Sequence, residues 1–570
     1  MIKRNLIILS IIIFSLSATA QVKKQETGLK REVTLYNPYK PSLPDSKKRS
    51  FLPEISDTSK IRPDFHYDVR TTPFLPEYAI SPIKAAALLP DPLTKLYKSY
   101  INLGVGNYLS PLAEISITNE RSKKGAIGFY ARHFSTNGKI DLENGKKIFA
   151  GYMDNDVSLF GKRFFKNSIL DGSLDFSQKI RHAYGYDPQI FDYNPSNKDT
   201  RIPYNNFGAK TGLTSLNLDS ADFSYNFNAA FNYFTAENNM YQRNISVDGN
   251  MAKSFKGFYM GSGISYDYYK IPDILLAVPK YIFSVSPFVK KSSELWSFKI
   301  GMQVLLDRNM TSTAQVHVYP DINFGFDLVP TYINFFAGLS GKLEKNEPLK
   351  IIAENPFITG DGSLFKIPNT SHDLIISSGF KGNTGIGGNY MLSASYSLIS
   401  NMLFYSNIES AVNVERGNYF SVLTDDVELF NIHGEMNGPV TDKLSFITSA
   451  NYYKYTLSQF EFAWNKPDWD AKLGLKYNLR DKIIAGMEIS VLGKRKTIVN
   501  GDLPILIDAP GPVIFDMPAH LNLKLNAEYR YSKILSFWTK LDNISVNRYY
   551  EWAYYPTHGF MFMLGFTYSL

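Results

Sequence analysis

Cysteine is absent from all 570 residues. That removes disulfide frameworks, thiolate zinc and iron–sulfur sites, thiol nucleophiles and the lipid-modified cysteine of a bacterial lipoprotein. Past the N-terminal segment, no stretch approaches the roughly 18 apolar residues that a spanning helix needs, so a helical membrane protein is excluded. Disorder is excluded for most of the chain by its content: 44% of residues are hydrophobic and 15% aromatic, with 40 Phe, 38 Tyr and 5 Trp, although the mean hydropathy is only -0.19.

The N-terminus reads as an export signal. Lys3 and Arg4 form a positive region, Leu6 to Leu16 an apolar core, and Ala18-Thr19-Ala20 a small-residue site that predicts cleavage between Ala20 and Gln21. The formal charge of +8 belongs mostly to this end of the chain, since residues 21–98 hold 14 Lys/Arg against 9 Asp/Glu. Residues 99–570 are nearly neutral and carry no aromatic RNA-binding motif, so no nucleic-acid partner is expected. Residues 21–98 also hold ten of the 29 prolines, which favours an extended path over a folded domain.

Beyond residue 98 the dominant period is two, the mark of strands that meet different surroundings on their two faces. In 519–531, Leu521, Leu523, Leu525, Ala527, Tyr529 and Tyr531 alternate with His520, Asn522, Lys524, Asn526, Glu528 and Arg530. The last strand sets Phe560, Phe562, Leu564, Phe566, Tyr568 and Leu570 on one face. Two-faced strands in hydrocarbon must pair every backbone amide, and only closure removes the edges. Tight turns are expected at Ser122-Lys123-Lys124, Phe165-Lys166-Asn167, Asp219-Ser220, Ser254-Phe255-Lys256, Lys290 to Ser293, Asp327 to Pro330, Lys381 to Gly387, Pro439 to Asp442, Arg480-Asp481 and Tyr531-Ser532-Lys533. Ten turns separate eleven hairpins, so the prediction is an all-β chain, a transmembrane antiparallel β-barrel of about 22 strands over 99–570. A short extended segment (21–98) and a signal peptide (1–20) precede it. Short connections belong on the periplasmic side, and long ones, near 135–152, 183–205, 344–371, 399–424, 497–515 and 546–558, outside. Tyr452-Tyr453, Tyr268-Tyr269 and Trp552 to Tyr555 are expected at interface girdles or the outer rim.

The closing stretch carries Leu535-Ser-Phe-Trp-Thr-Lys-Leu-Asp-Asn-Ile-Ser, Arg548-Tyr549-Tyr550, Tyr555-Pro556-Thr557-His558-Gly559-Phe560 and Gly565-Phe566-Thr567-Tyr568-Ser569-Leu570. It resembles the last hairpins of TonB-dependent receptor barrels, and Tyr452 to Lys496 is similar to the Bacteroidetes branch of such barrels. Asn543-Ile544 stands where that family has Asn-Leu, and Leu570 where it ends in Phe. The resemblance implies a 22-strand outer-membrane barrel whose terminal Phe566, Tyr568 and Leu570 form the C-terminal barrel signal. It also implies a plug of well over a hundred residues before the barrel. The 78 residues of 21–98 are too few for one, so a plugless relative is expected, with part of 61–98 entering the lumen or crossing its periplasmic mouth. Glu32-Val33-Thr34-Leu35-Tyr36 superficially resembles an energy-coupling box.

The sequence presents no catalytic, cofactor or metal constellation. Its histidines (His66, His133, His182, His317, His372, His433, His520, His558) show no ligand spacing, Gly382 to Gly388 lacks the Lys-Ser/Thr of a phosphate loop, and Asp361, Asp425-Asp426 and Asp502 read as solvated loop acids. An enzyme is not expected. Lys524, Glu528, Arg530, Asp468, Asp470 and Lys472 are the candidate lumen-facing residues, giving a wet, weakly selective interior. Two functions fit: a porin-like transport or gated channel barrel for a solute, or a non-transporting scaffold barrel of an outer-membrane assembly or secretion complex. The implied partners are the outer-membrane bilayer, the barrel-assembly machinery, and a lipoprotein or periplasmic protein meeting residues 21–98 or the outer loops.

Overall fold

The computed structural model describes residues 97–119, 122–142, 144–186, 195–216, 223–236, 240–271, 280–309, 313–358, 367–407, 419–499, 513–545 and 548–570. The cleavage position Ala20–Gln21, the segment 21–96 with its coupling-box-like motif and His66, the turn residues Asp219-Ser220, and Asp361 and Asp502 lie outside them.

Twenty-two strands form one antiparallel sheet in which each strand pairs with its chain neighbours, and the first closes on the last. The closure runs from Tyr100↔Ser569 to Gly106↔Met563, and Ser99 and Leu570 exchange backbone hydrogen bonds of 3.0 and 2.9 Å. Nine of the ten expected turns fall between successive described strands. Between Phe255 and Phe258, Lys256 and Gly257 both take positive φ (48° and 78°), the geometry of a two-residue type I′ hairpin. Gly385 (φ 82°) and Gly387 (φ 87°) confirm the glycine cluster there as a turn. Wall height varies: Ser99–Gly106 and Leu535–Asp542 have 8 residues, whereas Asn389–Ser406 and Ser421–Pro439 have 18 and 19.

Alternation sorts the side chains. One face of the wall exposes large apolar groups, among them Val105, Ile127, Ile264, Ile300, Leu392 and Leu564. The other face carries hydrogen-bonded polar pairs such as Ser158 to Asp175 (2.6 Å), Ser177 to Asp156 (2.9 Å) and Asn228 to Asp248 (2.9 Å). The polar face points inward, because its members reach loops that leave the wall several strands away. Lys345, in the loop after Ile333–Glu344, holds Asp267 of Phe258–Lys270 at 3.0 Å. An apolar outer belt around a wet interior is what hydrocarbon demands of a closed sheet. Adjacent aromatics therefore part company: Tyr268 lies on the outward face while Tyr269 is fully buried, and Tyr452 is 48% exposed beside half-buried Tyr453.

At the closing seam, Trp538 lies across Gly565 of the last strand and Gly104 of the first. A Cβ on Gly104 would come within 2.5 Å of the indole, and one on Gly565 within 2.2 Å of it and 2.4 Å of the Leu103 carbonyl. The indole Nε1 donates to Asn102 (2.7 Å), Asn102 donates to Glu114 (2.8 Å), and the Tyr130 hydroxyl donates to the other oxygen of Glu114 (2.6 Å). This chain of contacts runs along the inner face from the penultimate strand, over the seam, to the third.

Candidate functional site: the inturned outer loops and the chamber they bound

Described parts of several long outer connections pack against one another across the mouth of the ring. After Ile333–Glu344 comes helix α1, Pro348–Glu354, with a proline in its first turn, where the missing N–H costs no hydrogen bond. Seven residues cannot hold a helix by propensity, so α1 depends on its contacts. Gln242 accepts from the Leu349 amide (3.3 Å) and donates to Glu347; Lys345 pairs with Glu347 at 2.7 Å. At the other end Glu354 accepts from the Tyr405 hydroxyl (2.8 Å) and from Lys466 (2.7 Å). Ile351 and Ile352 are buried in a core with Tyr204, Phe234, Leu403 and Phe420.

The second half of this cap is a small hairpin of Tyr550–Trp552 and Tyr555–Pro556, from the connection before the last strand. Arg495 donates to the carbonyls of Tyr550 (2.7 Å) and Glu551 (2.8 Å) and pins it. Tyr555 stacks on Phe357 at 3.7 Å, Trp552 meets Tyr405 and Phe420 edge-on at 5.2 and 5.3 Å, and the Tyr184 hydroxyl donates to the Pro556 carbonyl (2.9 Å). Phe357 follows the thirteenth barrel strand and Tyr555 the twenty-first, so their stacking bridges the mouth between distant parts of the ring. Trp552 to Tyr555, expected at a girdle or rim, thus form a buried core across the lumen. Asp425 is likewise buried, accepting the amides of Gln459 (3.0 Å) and Phe460 (3.0 Å). No metal-holding cluster occurs among the described residues.

Two cavities adjoin the cap. One of ≈ 370 Å³ is lined by Tyr152, Arg181, Glu354, Asp542, Glu551 and His558, among others. The second, ≈ 230 Å³, lies beside α1 and is lined by Lys179, Asn206, Tyr204 and Leu349; Arg181, Ala353 and Pro356 border both. Arg181 is held by Asp154 at 2.8 Å and by the Ile180 carbonyl at 2.9 Å. Partial desolvation among the atoms lining the chamber raises the Glu551 carboxyl above its ordinary value, against the pull of Arg495 and Arg181, although the side chain stays open to the chamber. Burial lowers the Arg495 guanidinium and the His558 imidazole. His558 packs edge-on to Tyr108 (5.2 Å) and Tyr152 (6.1 Å), and its Nε2 is buried without a hydrogen-bond partner.

The residues singled out in the sequence are dispersed. Lys524 lies opposite Glu488 and 3.8 Å from Asp542; Glu528 and Arg530 pair at 3.2 Å; Asp470 accepts from Asn451 at 3.1 Å; Lys472 lies in register with Ser449 and Ser490. Asp468 sits just before its strand, its carbonyl accepting from the Tyr453 amide (2.8 Å). None of the six lines either cavity; only Asp542, partner of Lys524, does. Glu354 and Glu551 do not stand out in the sequence because loops that cross a lumen have no period to betray their destination; Arg181 sits at the end of the strand Ser168–His182, and His558 is noted there only for lacking ligand spacing. Phe566 and Tyr568 lie in register with Leu103 and Ile101 across the seam, and the Leu570 amide donates to Ser99.

No protein-family model matches the chain and no curated protein is similar to it. Solved structures are. The FrpB iron transporter from Neisseria meningitidis superposes with a TM-score of 0.63 at 11% identity, over 84% of this chain and 82% of that one. The ferric enterobactin receptor PfeA from Pseudomonas aeruginosa gives 0.59 at 13%, over 83% and 81%. The copper transporter OprC gives 0.58 at 12%, over 83% and 80%. The fold is that of 22-strand outer-membrane receptor barrels, and the neighbours are transporters and receptors rather than enzymes.

Proposed function

We propose that this chain is a transport barrel of the outer membrane, a plugless relative of the TonB-dependent receptors, that admits a solute through a mouth guarded by its own inturned loops. The observation that carries the reading is the cap: α1 and the Tyr550–Pro556 hairpin bridge the ring above a polar chamber rimmed by Arg181, Glu354, Asp542, Glu551 and His558. A barrel serving only as a scaffold gains nothing from a charged chamber beneath a folded mouth. Lys524, Glu528, Arg530, Asp470 and Lys472 line the path below, with Asp468 at its outer end, and their mixed signs suit a neutral or zwitterionic solute better than a simple ion. Residues 21–98 gate the path from the periplasmic side. Phe566, Tyr568 and Leu570 present the terminal strand to the assembly machinery, after export directed by residues 1–20.

Single-channel recording on the purified chain tests this. Conductance that is low in the full chain and rises when 21–98 is deleted is the expected result. No conductance in either form, together with stoichiometric co-purification of a partner, would establish the scaffold instead.

A further inference from the structure

Outward-facing cations mark the outer edge of the apolar belt on one side of the barrel. The strand Tyr241–Phe255 presents Arg243, Ile245, Val247, Gly249, Met251 and Lys253 to the outside. Ten residues at about 3.4 Å each, tilted by about 40°, place its two cations ~26 Å apart along the membrane normal, close to the height of a barrel's apolar band. Arg243 is therefore level with the outer headgroups and Lys253 with the inner ones. Next to it, Phe258–Lys270 ends in Lys270, directly opposite Arg243 in the ladder. Tyr268 pairs with Tyr281, and Tyr281 with Arg308, the last residue of its own strand.

Like charges directly opposite one another in a sheet repel, and the cost is usually removed by a nearby acid. On the inner face cations are met by acids: Lys345 has Asp267 and Glu347, and Arg181 has Asp154. Among the described residues, Arg243, Lys270 and Arg308 have no carboxylate partner. The Arg243 guanidinium instead rests over the rings of Tyr233 and Tyr241, 5.5 Å from each centroid, which leaves its N–H edge free to donate. The Nε of Arg308 is buried with no hydrogen-bond partner. Among the described residues, these tyrosine-framed cations at the hydrocarbon boundary meet no anion on the membrane side.

We infer that Arg243 and Lys270, flanked by Arg308, form a binding site for the phosphate of an outer-leaflet lipid, whose acyl chains lie against Ile245, Val247 and Tyr266. Arg243 supplies a planar donor fork and Lys270 a point charge to the same headgroup. The site lies on the lipid face of the wall, away from the solute path.

Titrating the full chain in neutral-detergent micelles with diphosphorylated lipid A, read by intrinsic fluorescence, tests the site. Exchanging both residues (R243Q with K270Q) is expected to weaken lipid A binding at least tenfold, the scale of losing one or two charge-assisted hydrogen bonds. The charge-keeping pair R243K with K270R retains most of it and stands in if the glutamine variant does not fold. Equal affinity in the glutamine variant and the parent chain overturns the inference. So does equal binding of a dephosphorylated lipid A, and so does a response to inorganic phosphate alone that matches the lipid.

Discussion

At Gly565 the wall has no room for a methyl group, and the two glycines under Trp538 lack that room for different reasons. A Cβ on Gly104 meets mainly the indole, whereas one on Gly565 also meets the backbone carbonyl of Leu103. Gly104→Ala and Gly565→Ala should each cost about 1–3 kcal/mol of stability by overpacking. Adding Trp538→Ala is expected to relieve the Gly104 variant but not the Gly565 variant, as read by their thermal unfolding midpoints in detergent. His558 has a pH consequence. Its folded pKa is depressed by burial, so its contribution to a closed cap is present above the ordinary imidazole value of about 6.5 and fades as pH falls below that. Glu551, raised by partial desolvation in the chamber, acts with the opposite sign, its cost easing as it takes up a proton. Proteolysis of the outer loops should quicken between pH 7.5 and 5.5. The acceleration should vanish in His558→Asn and grow in Glu551→Gln; equal rates in all three would dismiss the histidine's role. The sequence carries His558 only within a motif and among unclustered histidines and does not single out Glu551, because the environment of a lone His or Glu on a loop depends on what folds over it.

The cap draws its cohesion from aromatic stacking, not from helix propensity. Phe357 joins α1 to the hairpin through Tyr555, so Phe357→Ala should remove about 3–5 kcal/mol locally while leaving the barrel intact. The expected reading is faster hydrogen exchange across 348–358 and 550–556, with an unchanged unfolding midpoint for the wall. The strands were legible in the sequence because their period of two is imposed by contact with two different media. Trp552 to Tyr555, expected at a girdle or the outer rim, lie in the core at the outer mouth, since aromatic clusters mark burial in a bilayer interface and in a protein core alike. Only the tertiary path of the connection tells the two apart.

For the whole molecule, turn chemistry made the topology readable before any strand was placed. Ten short connections, with their glycines, lysines and asparagines, set the count, and the wall has 22 strands. The solute path was less legible, since it is assembled from loops separated by up to half the ring. If the cap is the outer gate, Phe357→Ala combined with deletion of 21–98 should conduct more than either change alone; a double variant no more conductive than the deletion would remove the cap from the path.

The seam gives closure a direction in time. Asn102, Glu114 and Tyr130 belong to the first three strands to leave the ribosome, and Trp538 to the last hairpins. Until the final strand arrives, Asn102 lacks its indole donor, and the glycine floor beneath that indole is half built. Once it arrives, hydrogen bonding and ring packing are satisfied together. A barrel that closes one hairpin short, or out of register, forfeits both at once, so completeness of the chain is checked by the same contact that seals it.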